Sequence, residues 1–114
     1  MVSIENVEHP AIFPFILVNT IFLLAGIFMR IFPPKKINGL YGYRTSKSMK
    51  NQVNWEIAQT RSAILMIKHS SMALVFTLLF FALPIPLGWS ATAAGMISLY
   101  LLIMMFVKTE RSLK

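Results

Sequence analysis

Two apolar stretches, Ala11 to Phe32 and Leu87 to Val107, each run past twenty residues with only one charge between them, at Arg30. About 20 helical residues rising roughly 1.5 Å each match a hydrocarbon core of about 30 Å, so such stretches read as membrane spans. A third stretch, Ser62 to Leu83, is as long and carries Lys68 and His69 about two turns inside its start. Three spans leave little chain for a soluble domain, and a composition of 56% hydrophobic and 13% charged residues suits a small helical membrane protein. The alternating ten-residue segments of a transmembrane β-barrel do not occur in the sequence. The expected fold is all-α: an integral membrane protein with one membrane domain over residues 1–114, and spans near 11–32, 62–83 and 87–107. A basic connector, 33–61, lies between the first two spans, and its later part extends the second span as a helix.

The charges set the expected orientation. Lys35, Lys36, Arg44, Lys47, Lys50 and Arg61 lie between the first two spans, Arg30 and Lys68 flank them, and Lys108, Arg111 and Lys114 follow the third. All eleven basic residues thus fall on one side of a three-span chain, and the positive-inside rule puts the N-terminus outside and the connector and C-terminus in the cytoplasm. Cytoplasmic anchoring and anionic headgroups account for the net charge of +7 without nucleic acid, since no groove-binding module is present. Glu5 and Glu8 precede the first span and no Lys or Arg comes before Arg30, so that span is expected to stay in the mature chain rather than leave as a signal peptide. With no cysteine there is neither a disulfide framework nor a thiolate metal site.

Local punctuation marks the elements. Met1 to Pro10 is a short polar lead, Pro10 and Pro14 favour a helix start, and Pro33-Pro34 ends the first helix at Phe32 by removing two backbone donors. Gly39 and Gly42 make Ile37 to Thr45 a loop. From Ser46 or Ser48, as N-caps, no Gly or Pro appears before Pro84, so one helix of about 36 residues runs from the connector into the second span. Met49, Val53 and Ile57 form an apolar stripe on its first turns. The stripe either lies at the headgroup boundary with Trp55 as an anchor or packs on the connector loop. The second arrangement is preferred because it closes Trp55 over Tyr41 or Tyr43. Pro84-Ile-Pro-Leu-Gly88 makes a tight turn, and the small residues Ser70, Ala73 and Thr77 are expected to face Ala91, Gly95 and Ser98, or a second copy of the chain.

Catalysis needs groups that meet. The carboxylates Glu5 and Glu8 fall on one side and Glu56 and Glu110 on the other, His9 and His69 are similarly divided, and Gly39-Leu-Tyr-Gly42 lacks the Gly-Lys-Ser/Thr ending of a phosphate loop. No enzyme, metal or cofactor is expected. Within the spans, Asn19, Lys68 and His69 either line a polar cavity or serve packing, Asn19 through interhelical hydrogen bonds and Lys68 by reaching the headgroups with its long stem. Arg44, set between Tyr43 and Thr45 after two glycines, is either one more positive-inside charge or a planar fork gripping Glu56 or an anionic partner.

The run Pro34-Lys-Lys-Ile-Asn38, Leu40-Tyr-Gly-Tyr-Arg-Thr45, Ser48-Met-Lys-Asn51 and Trp55 resembles the signature of the SdpI/YfhL family of small bacterial membrane proteins. That signature is an Asn, then Gly-hydrophobic-Arg-Thr, then a Trp further on, here Asn38, Gly42 to Thr45 and Trp55. The resemblance implies immunity: the family is named for a protein that protects a producing cell from its own secreted killing peptide and helps to tether a transcriptional repressor at the membrane. On that reading Asn38, Tyr41, Gly42, Tyr43, Arg44, Thr45, Trp55 and Glu56 form a cytoplasmic binding motif. The implied partners are membrane lipids, a secreted peptide toxin and a cytoplasmic regulator, and the chain acts by binding, alone or as a homo-oligomer. The alternatives are a small transporter or lipid-handling protein, with Asn19, Lys68 and His69 on a polar path, and a structural subunit of a membrane complex.

Overall fold

Prolines and side-chain caps decide where the helices begin and end. In the computed structural model, which describes residues 4–114, the chain forms α1 (Ile4–Glu8), a 3-10 turn at Pro10–Ile12, α2 (Phe13–Ile31), α3 (Gln52–Ala82) and α4 (Leu87–Arg111). The first three residues of the polar lead lie outside the described residues. His9 caps the 3-10 turn by accepting from the Ala11 amide at 3.1 Å. At the other end of α2 the Phe32 amide still reaches the Phe28 carbonyl at 2.8 Å, after which Pro33 and Pro34 have no amide hydrogen to offer. Between α3 and α4, Asn6 of α1 donates to the Ile85 carbonyl at 2.9 Å and so covers the Pro84–Pro86 turn.

Among the described residues three helices are long and apolar enough to cross a membrane, Pro10–Ile31, Gln52–Ala82 and Leu87–Arg111, and the chain is an all-α integral membrane protein. Its solvation is inverted relative to a water-soluble globule. Asn19, Ser62, His69, Ser70, Thr77, Ser90 and Thr109 are buried, while Leu17, Ile21, Phe28, Val75, Leu79, Met96 and Ile103 face outward. Lipid solvates those apolar side chains, so the helices meet instead through small and hydrogen-bonding groups.

α3 is the central helix and packs against both α2 and α4. Against α2 the approach is close at Gly26, where an added Cβ would lie 3.0 Å from Met66 Cβ and 3.1 Å from the Ile67 nitrogen. Against α4 the Ser90 hydroxyl donates to the Phe80 carbonyl at 2.8 Å and His69 Nδ1 meets the Leu101 carbonyl at 2.9 Å. The small-residue expectation is thereby amended. Ser70, Ala73 and Thr77 are buried, but Gly95 and Ser98 look toward α2, with Phe15 beside Gly95 and Asn19 donating to Ser98 Oγ at 3.1 Å. α4 is wedged against both partners, and its α3 face is the one carrying Ser90 and Leu101.

Two expectations about the connector fail. α3 starts at Gln52, with Asn51 rather than Ser46 or Ser48 as its cap, Asn51 Oδ1 accepting from the Asn54 amide at 2.8 Å. Ser48 cannot serve, because its hydroxyl is drawn into the preceding turn, accepting from the Thr45 amide at 2.7 Å and lying 3.2 Å from the Tyr43 carbonyl. The apolar stripe does not pack on the connector either: Val53 is 65% exposed and Met49 and Ile57 each 38%. The buried face of the first turns is the polar and aromatic one, Asn54, Trp55, Ala58 and Gln59.

Candidate functional site

The connector is short of regular structure, so its backbone groups need side-chain partners. Asn38 opens the loop as an Asx turn: Oδ1 accepts from the Leu40 amide at 2.9 Å and the Tyr41 amide at 2.8 Å, and its amide group donates to the Lys36 carbonyl at 3.0 Å. Tyr41 closes the loop onto the end of α2. Its hydroxyl donates to the Phe32 carbonyl at 2.8 Å and its ring stands edge-on to Phe28, centroids 5.8 Å apart.

α3 then grips the connector with one face. Gln52, Trp55 and Gln59, spaced three and four residues apart, present their side-chain N–H groups together. Gln52 donates to the Lys35 carbonyl at 2.6 Å, Trp55 Nε1 to the Pro34 carbonyl at 2.6 Å, and Gln59 Nε2 to the Tyr43 carbonyl at 2.7 Å. Gln59 also accepts from the Tyr43 amide at 2.7 Å, so its carboxamide pairs with both backbone groups of that residue, as a neighbouring strand would. Gly42 makes this approach feasible. Its φ is +108°, and a Cβ there would stand 2.5 Å from Gln59 Oε1 and 2.7 Å from Pro34 Cγ. Trp55 is fully buried over Pro34, not over a tyrosine ring, because the proline carbonyl is the acceptor its N–H finds.

The far side of the connector is held by α4. Glu110 Oε1 accepts from the Tyr43 hydroxyl at 2.7 Å and from the Thr45 hydroxyl at 2.6 Å, while the Tyr43 ring packs against Phe106 at 5.5 Å. Burial, and then the Glu110 carboxylate, push the Tyr43 phenol well above its ordinary range, so it stays protonated and donating. The Thr45 oxygen also accepts from the Ser48 amide at 3.1 Å. The chain end joins in, with the Lys114 amide 3.4 Å from Asn54 Oδ1. We call this arrangement the clasp.

Asn38, Tyr41, Gly42, Tyr43, Arg44, Thr45 and Trp55 therefore belong to one folded unit. Arg44 and Glu56 do not pair: the Arg44 guanidinium donates to the Gly39 carbonyl and Glu56 accepts from Gln52 at 3.2 Å, both on the exposed surface. Sequence reasoning passed over Gln52 and Gln59, took Ser48 for a helix cap, and weighed Glu110 only as a catalytic carboxylate without a partner. Glu110 carried a signal, since a carboxylate in the last turn of a helix opposes the helix dipole and needs donors to hold it. Within the spans, Asn19 and His69 line a common cavity with Ser98. Lys68 is exposed and takes no part in it, because adjacent helical residues point about 100° apart and His69 has the inward position.

Residues 35–109, which include most of the clasp, all of α3, and α4 as far as Thr109, match a model of the SdpI/YfhL protein family. A curated protein of Bacillus subtilis (strain 168), described as uncharacterized protein YfhL, is 53% identical over 45 residues, 40% of this chain and 41% of that protein. The match thus spans about two fifths of that relative's length. No solved structure matches the chain. With its signature residues gathered into a clasp and the family match covering more than half its length, the chain belongs to the SdpI/YfhL family.

Proposed function

We propose that the chain is an immunity-type protein of the bacterial cytoplasmic membrane, giving its host resistance to a secreted, membrane-active peptide by binding it. Membership in the SdpI/YfhL family across the connector and both following helices carries this reading. The one-sided placement of all eleven basic residues supports an orientation with the N-terminus and the Pro84–Pro86 turn outside and the clasp in the cytoplasm. A peptide arriving from outside then meets the helices first. The clasp's part is to fix α3 against α4 and to present a rigid surface to a cytoplasmic regulator. Arg44 suits that surface, since it is exposed and one of its five N–H donors is already anchored on Gly39.

Survival of a strain sensitive to a secreted killing peptide, expressing the chain or Arg44→Ala at matched membrane abundance, tests the reading. Wild type is expected to protect and Arg44→Ala to protect poorly. A wild-type chain that is present in the membrane and does not protect overturns immunity to that peptide. Equal protection by both removes Arg44 from the mechanism. A second reading, a small transporter or lipid-handling protein, has one observation in its favour, the cavity walled by Asn19 and His69.

A further inference from the structure

The cavity between the spans has two polar side chains on its wall that packing does not use up. Asn19 is 6% exposed, and its amide nitrogen donates to the Phe15 carbonyl at 2.9 Å and to Ser98 Oγ at 3.1 Å, which leaves Oδ1. His69 is 5% exposed with Nδ1 on the Leu101 carbonyl at 2.9 Å. A carbonyl only accepts, so Nδ1 carries the proton, and in the neutral ring Nε2 is left as a lone-pair acceptor. Among the described residues the buried side-chain atom sealed off without a partner is Thr77 Oγ1, so Asn19 Oδ1 and His69 Nε2 both reach open space. The space that both residues line is the cavity.

Its size and position restrict what can fill it. The volume is about 220 Å³ and the remaining wall, including Phe22, Leu102 and Met105, is largely apolar. A dry cavity of about 150 Å³ accepts benzene, so this one has room for a fused two-ring group. Asn19 stands near the middle of the span Pro10–Ile31, at a depth that headgroups do not reach. Val18 and Leu99 line the cavity and are also 48% and 58% exposed, so it opens sideways between α2 and α4 toward the bilayer. An acyl chain entering there brings no donor and leaves both acceptors unpaired in hydrocarbon, where each such group is costly, whereas a ring with one donor pairs one of them. Water pairs them but leaves the ring-sized apolar remainder empty.

We propose that this cavity is a bilayer-facing binding site for a small neutral ring compound with one N–H or O–H donor, of the indole or phenol kind, held by Asn19 Oδ1 or His69 Nε2. The site stands independently of the immunity reading. Its ligand arrives laterally, dissolved in the membrane, and is chosen by the donor it brings.

The test uses the full chain in lipid nanodiscs, with fluorine NMR of 5-fluoroindole and of 5-fluorobenzothiophene, which has the same shape and no N–H. Empty nanodiscs set the partitioning baseline. Wild type is expected to bind the indole about tenfold more tightly than the benzothiophene, the worth of one hydrogen bond in a dry site. That preference should vanish in His69→Phe or in Asn19→Leu, and Leu102→Trp, which fills the cavity, should abolish binding of both probes. Equal wild-type affinity for the two probes, binding no greater than to empty discs, or undiminished binding by Leu102→Trp overturns the proposal. The wild-type comparison of probes needs no variant and decides the matter even if a substitution prevents folding.

Discussion

Replacing Glu110 with Ala takes away the acceptor of two hydrogen bonds at once, from the Tyr43 hydroxyl at 2.7 Å and the Thr45 hydroxyl at 2.6 Å. Hydrogen bonds to a charged partner contribute about 1.5 to 3 kcal/mol each, and the half-buried setting of Glu110 argues for the low end, or about 3 kcal/mol for the pair. Glu110 lies in the last turn of α4, where a negative charge is unfavourable by about 0.5 kcal/mol, and its loss returns that much. The net is about 2.5 kcal/mol, or roughly a 60-fold rise in the open population of the connector. Lys47 and Lys50 lie in that connector and report its opening through trypsin cleavage, whose rate follows the open population when reclosing is fast. Glu110→Gln keeps an acceptor in place without the charge, and about a fivefold increase is expected for it. If Glu110→Ala is cut no faster than wild type in the same detergent, the two bonds do not hold the connector and the reasoning is refuted.

Gly42→Ala should destabilise the protein by about 3 kcal/mol, the sum of a left-handed backbone and a Cβ driven against Gln59 and Pro34; an unchanged midpoint in mixed-micelle unfolding contradicts this. The Tyr43 phenol is raised above its ordinary value of 10.0, so the folded chain keeps a proton that the unfolded chain loses. Its contribution is complete below pH 10.0 and disappears as the pH rises through the folded value. Unfolding followed from neutral to alkaline pH should therefore show a loss of stability that is smaller in Tyr43→Phe, and identical pH profiles for the two proteins rule it out.

The spans were legible because a bilayer imposes length and apolarity together, and Pro33-Pro34 leaves α2 no way to continue. The signature residues were also visible, Gly42 and Trp55 among them. What the sequence did not reveal was whom they touch. Met49, Val53 and Ile57 look like a buried stripe by spacing, yet the buried side of α3 is polar, since its task is to satisfy the carbonyls of Pro34, Lys35 and Tyr43. Ser48 looks like a cap by residue type, but a closer turn takes its hydroxyl first. Glu56 was the near carboxylate and Glu110 the distant one, and only folding brings the distant one to Tyr43. The shared cavity of Asn19 and His69 was within reach because polar groups in spans are few, whereas Lys68, named with them as a charge inside its span, faces outward.

Thr45 and its acceptor Glu110 are 65 residues apart in the chain, and that separation is also an interval of time. At a synthesis rate of about 5 to 20 residues per second, the connector waits on the order of 3 to 13 s after its own synthesis before the carboxylate that completes it has been made. During that interval α3 is available to engage Pro34 and Tyr43, and α4 is not. Assembly is therefore ordered: one jaw closes while the ribosome is still working, and the other shuts only when the last turn of α4 has been released. A chain stalled or truncated before Glu110 retains its apolar spans but displays a connector unlatched from α4.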